Sequence, residues 1–123
     1  MIPIAKPVIT EAEKSRVLEV MDSGMLASGK YVKDFSQRFS EFIGSRYGAA
    51  ASSGTAALHT ALLAAGIKEG DKVATTPFTF IASSNSILYT GAEPVFVDIN
   101  PETYNIDADK LELKLQSDPE ISA

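Results

Sequence analysis

Ala49-Ala50-Ala51-Ser52-Ser53-Gly54-Thr55-Ala56-Ala57-Leu58 is the stretch on which the fold of this chain turns. A run of small residues beginning at Tyr47 gives way to two serines, a glycine and a threonine. Leu58, Ala61, Leu62 and Ala65 then recur at the i, i+3, i+4, i+7 spacing of one helical face, closed by Gly66. The pattern predicts a strand over 47–51 that hands over to a helix at Ser53. Free amides at a helix N-terminus, a glycine that permits close approach and neighbouring hydroxyls make a cradle for a phosphate. The helix dipole contributes roughly 0.3–1 kcal/mol toward an anion there, up to about 2 when partly buried, and each charge-assisted hydrogen bond roughly 1.5–3. The same residues equally make an ordinary helix start with Ser53 as its cap, and the residues alone leave both readings open. Neither Gly-x-Gly-x-x-Gly nor the complete Gly-x-x-x-x-Gly-Lys-Ser/Thr loop occurs, so the two commonest nucleotide loops are absent.

Downstream, Lys72–Thr75 reads as a second short strand, 79–89 as a helix closed by Gly91, Pro94–Asp98 as a third strand and Asp109–Gln116 as a last helix. Strands separated by helices imply crossovers and a largely parallel sheet, hence an α/β fold. Thr76-Pro77-Phe78-Thr79-Phe80 follows the second strand directly. Open α/β sheets bind ligands outside their carboxyl edge, so Phe78 or Phe80 is either a platform for a planar ring or a core residue.

Upstream, Thr10-Glu11-Ala12-Glu13 is a capping box opening a helix over 11–22 that Gly24 ends. Val17, Leu18, Val20 and Met21 form its apolar stripe. Ser23–Lys30 reads as a loop, and a second helix over 32–43 places Val32, Phe35, Phe39, Phe42 and Ile43 on one face, with Gly44 as its stop. Three phenylalanines on one face predict a buried face.

With 123 residues, 45% of them hydrophobic and 22% charged, the chain has the composition of one soluble globular domain. Sixteen acidic against eleven basic residues give a net charge of -5 with no basic stripe, which argues against a nucleic-acid partner. The absence of cysteine removes thiolate metal sites, disulfides and cysteine nucleophiles, and His59 is the single histidine, so no metal site is expected. The proline-bearing start is no secretory signal, and the longest apolar tract, 56–65, is too short to span a bilayer. The expectation is a cytoplasmic protein with no membrane partner.

The ordered series Gly29-x-x-Val32-x-x-Phe35, Ser53-Gly54-Thr55-Ala56-Ala57-Leu58, Gly66-x-x-x-Gly70-Asp71-x-Val73, Pro77-x-Thr79-Phe80, Gly91-Ala92-x-Pro94-Val95-Phe96-Val97-Asp98 and Asn105-Ile106-Asp107 resembles the N-terminal part of the DegT/DnrJ/EryC1/StrS family. These are fold-type-I sugar aminotransferases that use pyridoxal 5'-phosphate (PLP). The resemblance implies a partial three-layer α/β/α large domain over 1–123, mostly parallel in its sheet, with 1–45 a helical segment within it. It implies that Gly54, Thr55 and Ala56 contact the cofactor phosphate, chiefly through the Thr55 and Ala56 amides and the Thr55 hydroxyl. Phe80 would stack on the pyridine ring, leaving Phe78 to packing. Met25–Lys30 is similar to a segment near the family's active-site entrance, and reads equally as a solvated loop.

In the family, the Schiff-base lysine and the aspartate that pairs with the pyridine nitrogen lie in later segments, so no catalytic residue is assigned in this chain. Lys68 and Lys72 read as solvated turn charges, Asp98 as structural, Asn85 as a helix-surface amide and His59 as a surface or interface residue. The implied function is the N-terminal part of an aminotransferase that moves an amino group, typically from glutamate, to a nucleotide-linked keto sugar, and is unable to do so alone. Two alternatives stand beside it: a non-catalytic oligomerisation module derived from the family, and a PLP-dependent sugar dehydratase of the same family. A Rossmann-type domain would need the missing glycine fingerprint. A partial sheet and exposed apolar helix faces imply self-association, so a homo-oligomer is expected.

Overall fold

The first helix, α1 (Glu11–Ser23), starts where its capping box dictates. The Glu13 carboxylate accepts the Thr10 hydroxyl and, at 2.7 Å, the Thr10 amide, which in that order hold the Glu13 carboxyl below its ordinary range. Gly24 ends the helix in the left-handed region (φ 70°), its amide donating to Met21 O. The second helix, α2, runs Lys30–Ile43. The computed structural model describes residues 3 and 5–123, which form two units that meet in sequence at Ala50 and Ala51.

In the first unit, the small-residue run is explained by α2. A Cβ on Gly48 would stand 2.5 Å from the Ser36 carbonyl oxygen, so only glycine lets the chain lie this close to the helix. Ser40 is buried, and its hydroxyl bonds Gln37 O at 2.7 Å. Two expectations fail in this unit. Residues 47–51 form no strand, because strand hydrogen bonds need a neighbour and none pairs with them among the described residues. The apolar face of α2 is also not buried among the described residues, Phe35, Phe39 and Phe42 being 58%, 50% and 86% exposed, which departs from the buried face its spacing predicts and agrees with the exposed helix faces expected of a partial sheet. Spacing specifies an amphipathic face but not the surface that covers it.

The second unit comprises α3 (Gly54–Ala64), β1 (Lys72–Thr75), α4 (Ala82–Leu88), β2 (Glu93–Phe96) and α5 (Ala108–Ser117). Together with α1 and α2 this gives five helices and a small parallel sheet among the described residues, an α/β fold as expected. β1 and β2 pair in parallel with Lys72 opposite Glu93 and Thr75 opposite Phe96. On the other side of β1, Ile121 pairs in parallel with Lys72, Ser122 N donates to Lys72 O at 2.8 Å and Ala74 N to Ala123 O at 2.6 Å. β1 is thus central, and its second neighbour comes from the last residues instead of from 47–51. Its Val73 joins Ile67, Ile87 and Ala92, with Leu62 against them, in the core. Burying an aliphatic side chain of this size contributes roughly 1.5–3 kcal/mol.

The helix expected over 79–89 begins only at Ala82. Pro77 and the bonds that follow hold 76–81 as a loop: Phe78 N donates to Thr76 Oγ1, Thr79 and Ser83 hydroxyls meet at 3.1 Å, and Ser83 N donates to Phe80 O. The last helix starts one residue earlier than its pattern suggests because the Asp107 carboxylate caps it, accepting the Asp109 and Lys110 amides, each at 3.1 Å.

Candidate phosphate and ring site

Ser53 is extended (φ -160°, ψ 164°) and caps α3, its hydroxyl accepting the Ala56 amide at 3.1 Å while its carbonyl accepts Ala57 N at 3.0 Å. The Gly54 and Thr55 amides precede the first intrahelical bond and have no protein acceptor among the described residues. The Ala56 amide, expected among the phosphate donors, is already committed to Ser53, so the uncommitted pair is Gly54 and Thr55. Gly54 is exposed, has no left-handed φ, and a Cβ built on it meets nothing within 4 Å. Neither conformation nor internal packing therefore demands a glycine there, and backbone approach by a ligand is unobstructed. No acidic residue lies in the first turn of α3 to repel an anion.

The short connection from α3 into β1 turns the chain back on itself. In an α/β unit whose helix runs antiparallel to the strand after it, the start of the helix falls at that strand's carboxyl edge, and the loop over 76–81 leaves β1 at that end. The two phenylalanines of that loop differ in their surroundings. Phe78, 61% exposed, sets its ring 5.7 Å from that of Tyr104, whereas Phe80 is 77% exposed and pairs with no aromatic ring among the described residues. Phe78 thus has an aromatic neighbour that Phe80 lacks among the described residues, while both rings stay open to solvent.

The remaining polar candidates are structural in their contacts. Asp98 accepts Lys110 Nζ at 3.0 Å and Ile99 N at 2.9 Å, which together hold its carboxyl below the ordinary range. Lys72 is not a solvated turn charge as expected. Its ammonium bonds Glu120 Oε2 at 2.7 Å and Asp118 Oδ2 at 3.2 Å, which raise its pKa. Lys68 lies in the turn, its amide bonded to the Asp71 carboxylate. His59 is half-buried and meets Tyr89 edge-on at 5.6 Å, and Asn85 is half-buried on α4. No group of metal-ligating side chains occurs among the described residues, and no helix there is long and apolar enough to cross a membrane. The Lys72 network and Tyr104 escape a reading by pattern. Lys72 pairs with residues 46 and 48 positions away, and the signal for Tyr104 is only the turn-forming Asn100-Pro101 before it.

A family model, the DegT/DnrJ/EryC1/StrS aminotransferase family, matches residues 7–119. The chain belongs to this family. It is 45% identical over 111 residues to the spore coat polysaccharide biosynthesis protein SpsC of Bacillus subtilis, covering 90% of this chain and 28% of SpsC. To the GDP-perosamine synthase of Caulobacter vibrioides it is 44% identical over 112 residues, covering 90% of this chain and 30% of the synthase. Among solved structures, the PLP form of Spr1654 from Streptococcus pneumoniae superposes with a TM-score of 0.85 at 36% identity, over 91% of this chain and 29% of that one. The chain thus spans less than a third of the length of these relatives.

Proposed function

We propose that these residues are the N-terminal part of a cytoplasmic, PLP-dependent aminotransferase acting on nucleotide-linked keto sugars, with an amino donor such as glutamate. The observation that carries this reading is the start of α3. Two uncommitted amides, at an unobstructed Gly54 and at Thr55, occur in a family member whose exposed Phe80 lies on the loop leaving the carboxyl end of β1. The residues fit a phosphorylated aromatic cofactor. Gly54 and Thr55 would donate backbone hydrogen bonds to the phosphate, aided by the helix dipole. The Ala56 amide would join them if the Ser53 hydroxyl turned aside, and the half-buried Thr55 hydroxyl is a further donor. The Phe80 ring would lie against the face of the pyridine and exclude water from it. When bound, PLP supplies the electron sink that lets an amino group exchange with a carbonyl. The chain's share of the work is to bind and orient that cofactor, since none of its lysines is assigned a covalent role. The GDP-perosamine synthase relative supports a nucleotide-linked sugar as substrate. The exposed α2 face supports assembly as a homo-oligomer.

Titration of the full-length protein with PLP, followed by competition with inorganic phosphate, tests the site. Phe80→Ala weakens PLP roughly 2- to 10-fold while leaving phosphate competition intact. Gly54→Val, whose side chain enters open space, weakens both ligands. A wild-type protein without saturable PLP binding, or two variants that bind as wild type, would overturn the reading.

A further inference from the structure

Tyr104 has the one positive φ among the described non-glycine residues, 60°, a conformation uncommon for a bulky side chain. The surrounding turn over-determines it. The Asn100 carboxamide oxygen accepts Glu102 N at 2.9 Å and Thr103 N at 3.1 Å, while Asn100 O accepts Tyr104 N and Asn105 O accepts Asn100 N, each at 2.9 Å. Ile99 and Ile106 close the loop as an antiparallel bridge, and Asp107 N donates to Asp98 O at 3.0 Å. The turn therefore projects from the end of β2 on a rigid base. What its unusual backbone delivers is a ring: Tyr104 lies 5.7 Å from Phe78, with ring planes 34° apart. The other bonds of the 76–81 loop run to its own neighbours, Thr76, Ser83 and Asn85. The aromatic pair ties that loop to a different stretch of chain.

We infer that Tyr104 is a positioning residue: its left-handed backbone, pinned by Asn100, holds its ring against Phe78 and thereby fixes the loop that presents Phe80 at the sheet edge. Tyr104 acts through Phe78 and touches no ligand itself. Its consequence for cofactor affinity rests on the reading of Phe80 as the ring platform, whereas its effect on the loop does not.

The ring and the backbone strain are separable by substitution. Tyr104→Gly and Tyr104→Asn both suit a left-handed backbone and remove the ring, while Tyr104→Phe keeps the ring and loses only the hydroxyl. Amide hydrogen exchange at Phe78, Thr79 and Phe80 in the cofactor-free, full-length protein reads the loop directly. Exchange is expected to be roughly 2- to 10-fold faster in the glycine and asparagine variants and at the wild-type rate in Tyr104→Phe. Phe78→Leu approaches the same contact from the other side and gives the same acceleration should a Tyr104 variant fail to fold. In the same samples, PLP affinity falls by a similar factor in the ring-deleted variants and recovers in Tyr104→Phe, while inorganic phosphate binding stays unchanged. Wild-type exchange rates in Tyr104→Gly, Tyr104→Asn and Phe78→Leu would overturn the inference. Failure of the wild-type protein to bind PLP would instead overturn the proposed function and leave the exchange result standing.

Discussion

Substitution of Ser53 separates two roles that the start of α3 combines. In Ser53→Ala the Ala56 amide loses the hydroxyl that now lies 3.1 Å away, a cap loss that costs about 1 kcal/mol, within a range of roughly 0.5–2. In a full-length protein of its relatives' size, more than three times this chain, that lowers the melting temperature by about 2 °C or less. The freed amide joins those of Gly54 and Thr55, so affinity for PLP and for inorganic phosphate holds or rises. Ser53→Asp acts in the opposite sense. A carboxylate caps about as well as a hydroxyl and suits the helix dipole, so stability is kept. It also sets a negative charge where the phosphate would sit. Two like charges about 4 Å apart repel by about 1 kcal/mol at the dielectric of water and about 4 at an effective value near 20. Ser53 is exposed, which favours the smaller figure, but a phosphate near two negative charges doubles it, so PLP binding weakens at least about ten-fold. Pyridoxal, which lacks the phosphate, is unaffected. Thermal unfolding and titration with PLP, pyridoxal and phosphate on the same full-length samples give both readings. A stable Ser53→Asp protein that binds PLP as tightly as wild type would refute the cradle, because no phosphate could then lie at these amides.

Two further outcomes follow from the second unit. Ile87 is 3% exposed in the core beside Val73 and Ile67, so Ile87→Ala costs about 2–5 kcal/mol; a urea midpoint unchanged from wild type would place the core elsewhere. The Lys72 network makes stability depend on pH at both extremes, since the Lys72 ammonium lowers the pKa of Asp118 and is itself raised by Glu120 and then Asp118. Asp118's contribution is full above the ordinary aspartate range and is lost as pH falls through its depressed value. Lys72's is full below the ordinary lysine range and is lost as pH rises through its elevated value, with a plateau between. Lys72→Met removes both limbs of this contribution in urea unfolding measured across pH; identical profiles for variant and wild type would show that the network carries no linkage.

What the residues reveal on their own divides along the line between local and distant causes. β1 and the start of α1 are legible, and the start of α5 to within one residue, because their determinants lie within a few positions. Val73 alternates into the core, Thr10 faces Glu13, and Asp107 sits two and three residues before the amides it accepts. The expected strand over 47–51 misleads because a small-residue run serves equally for close approach, and here Gly48 lies against Ser36. The neighbour that β1 does acquire is Ile121, 49 positions from Lys72, a pairing that no local pattern encodes. The α2 phenylalanines show the same limit, since periodicity defines a face and only a partner surface buries it.

At the start of α3 the ambiguity has a different origin. A helix cap and an anion cradle use the same donors, so no pattern of residue types can tell them apart, and the structure resolves only part of it by committing Ala56 to Ser53 and leaving Gly54 and Thr55 free. The more telling residue is the glycine. A helix start tolerates nearly any side chain at its first position, and here a Cβ would meet nothing, so packing gives no reason for its absence. On the function proposed above, close approach of a phosphate to the backbone supplies that reason, and Gly54→Val is the substitution that tests it.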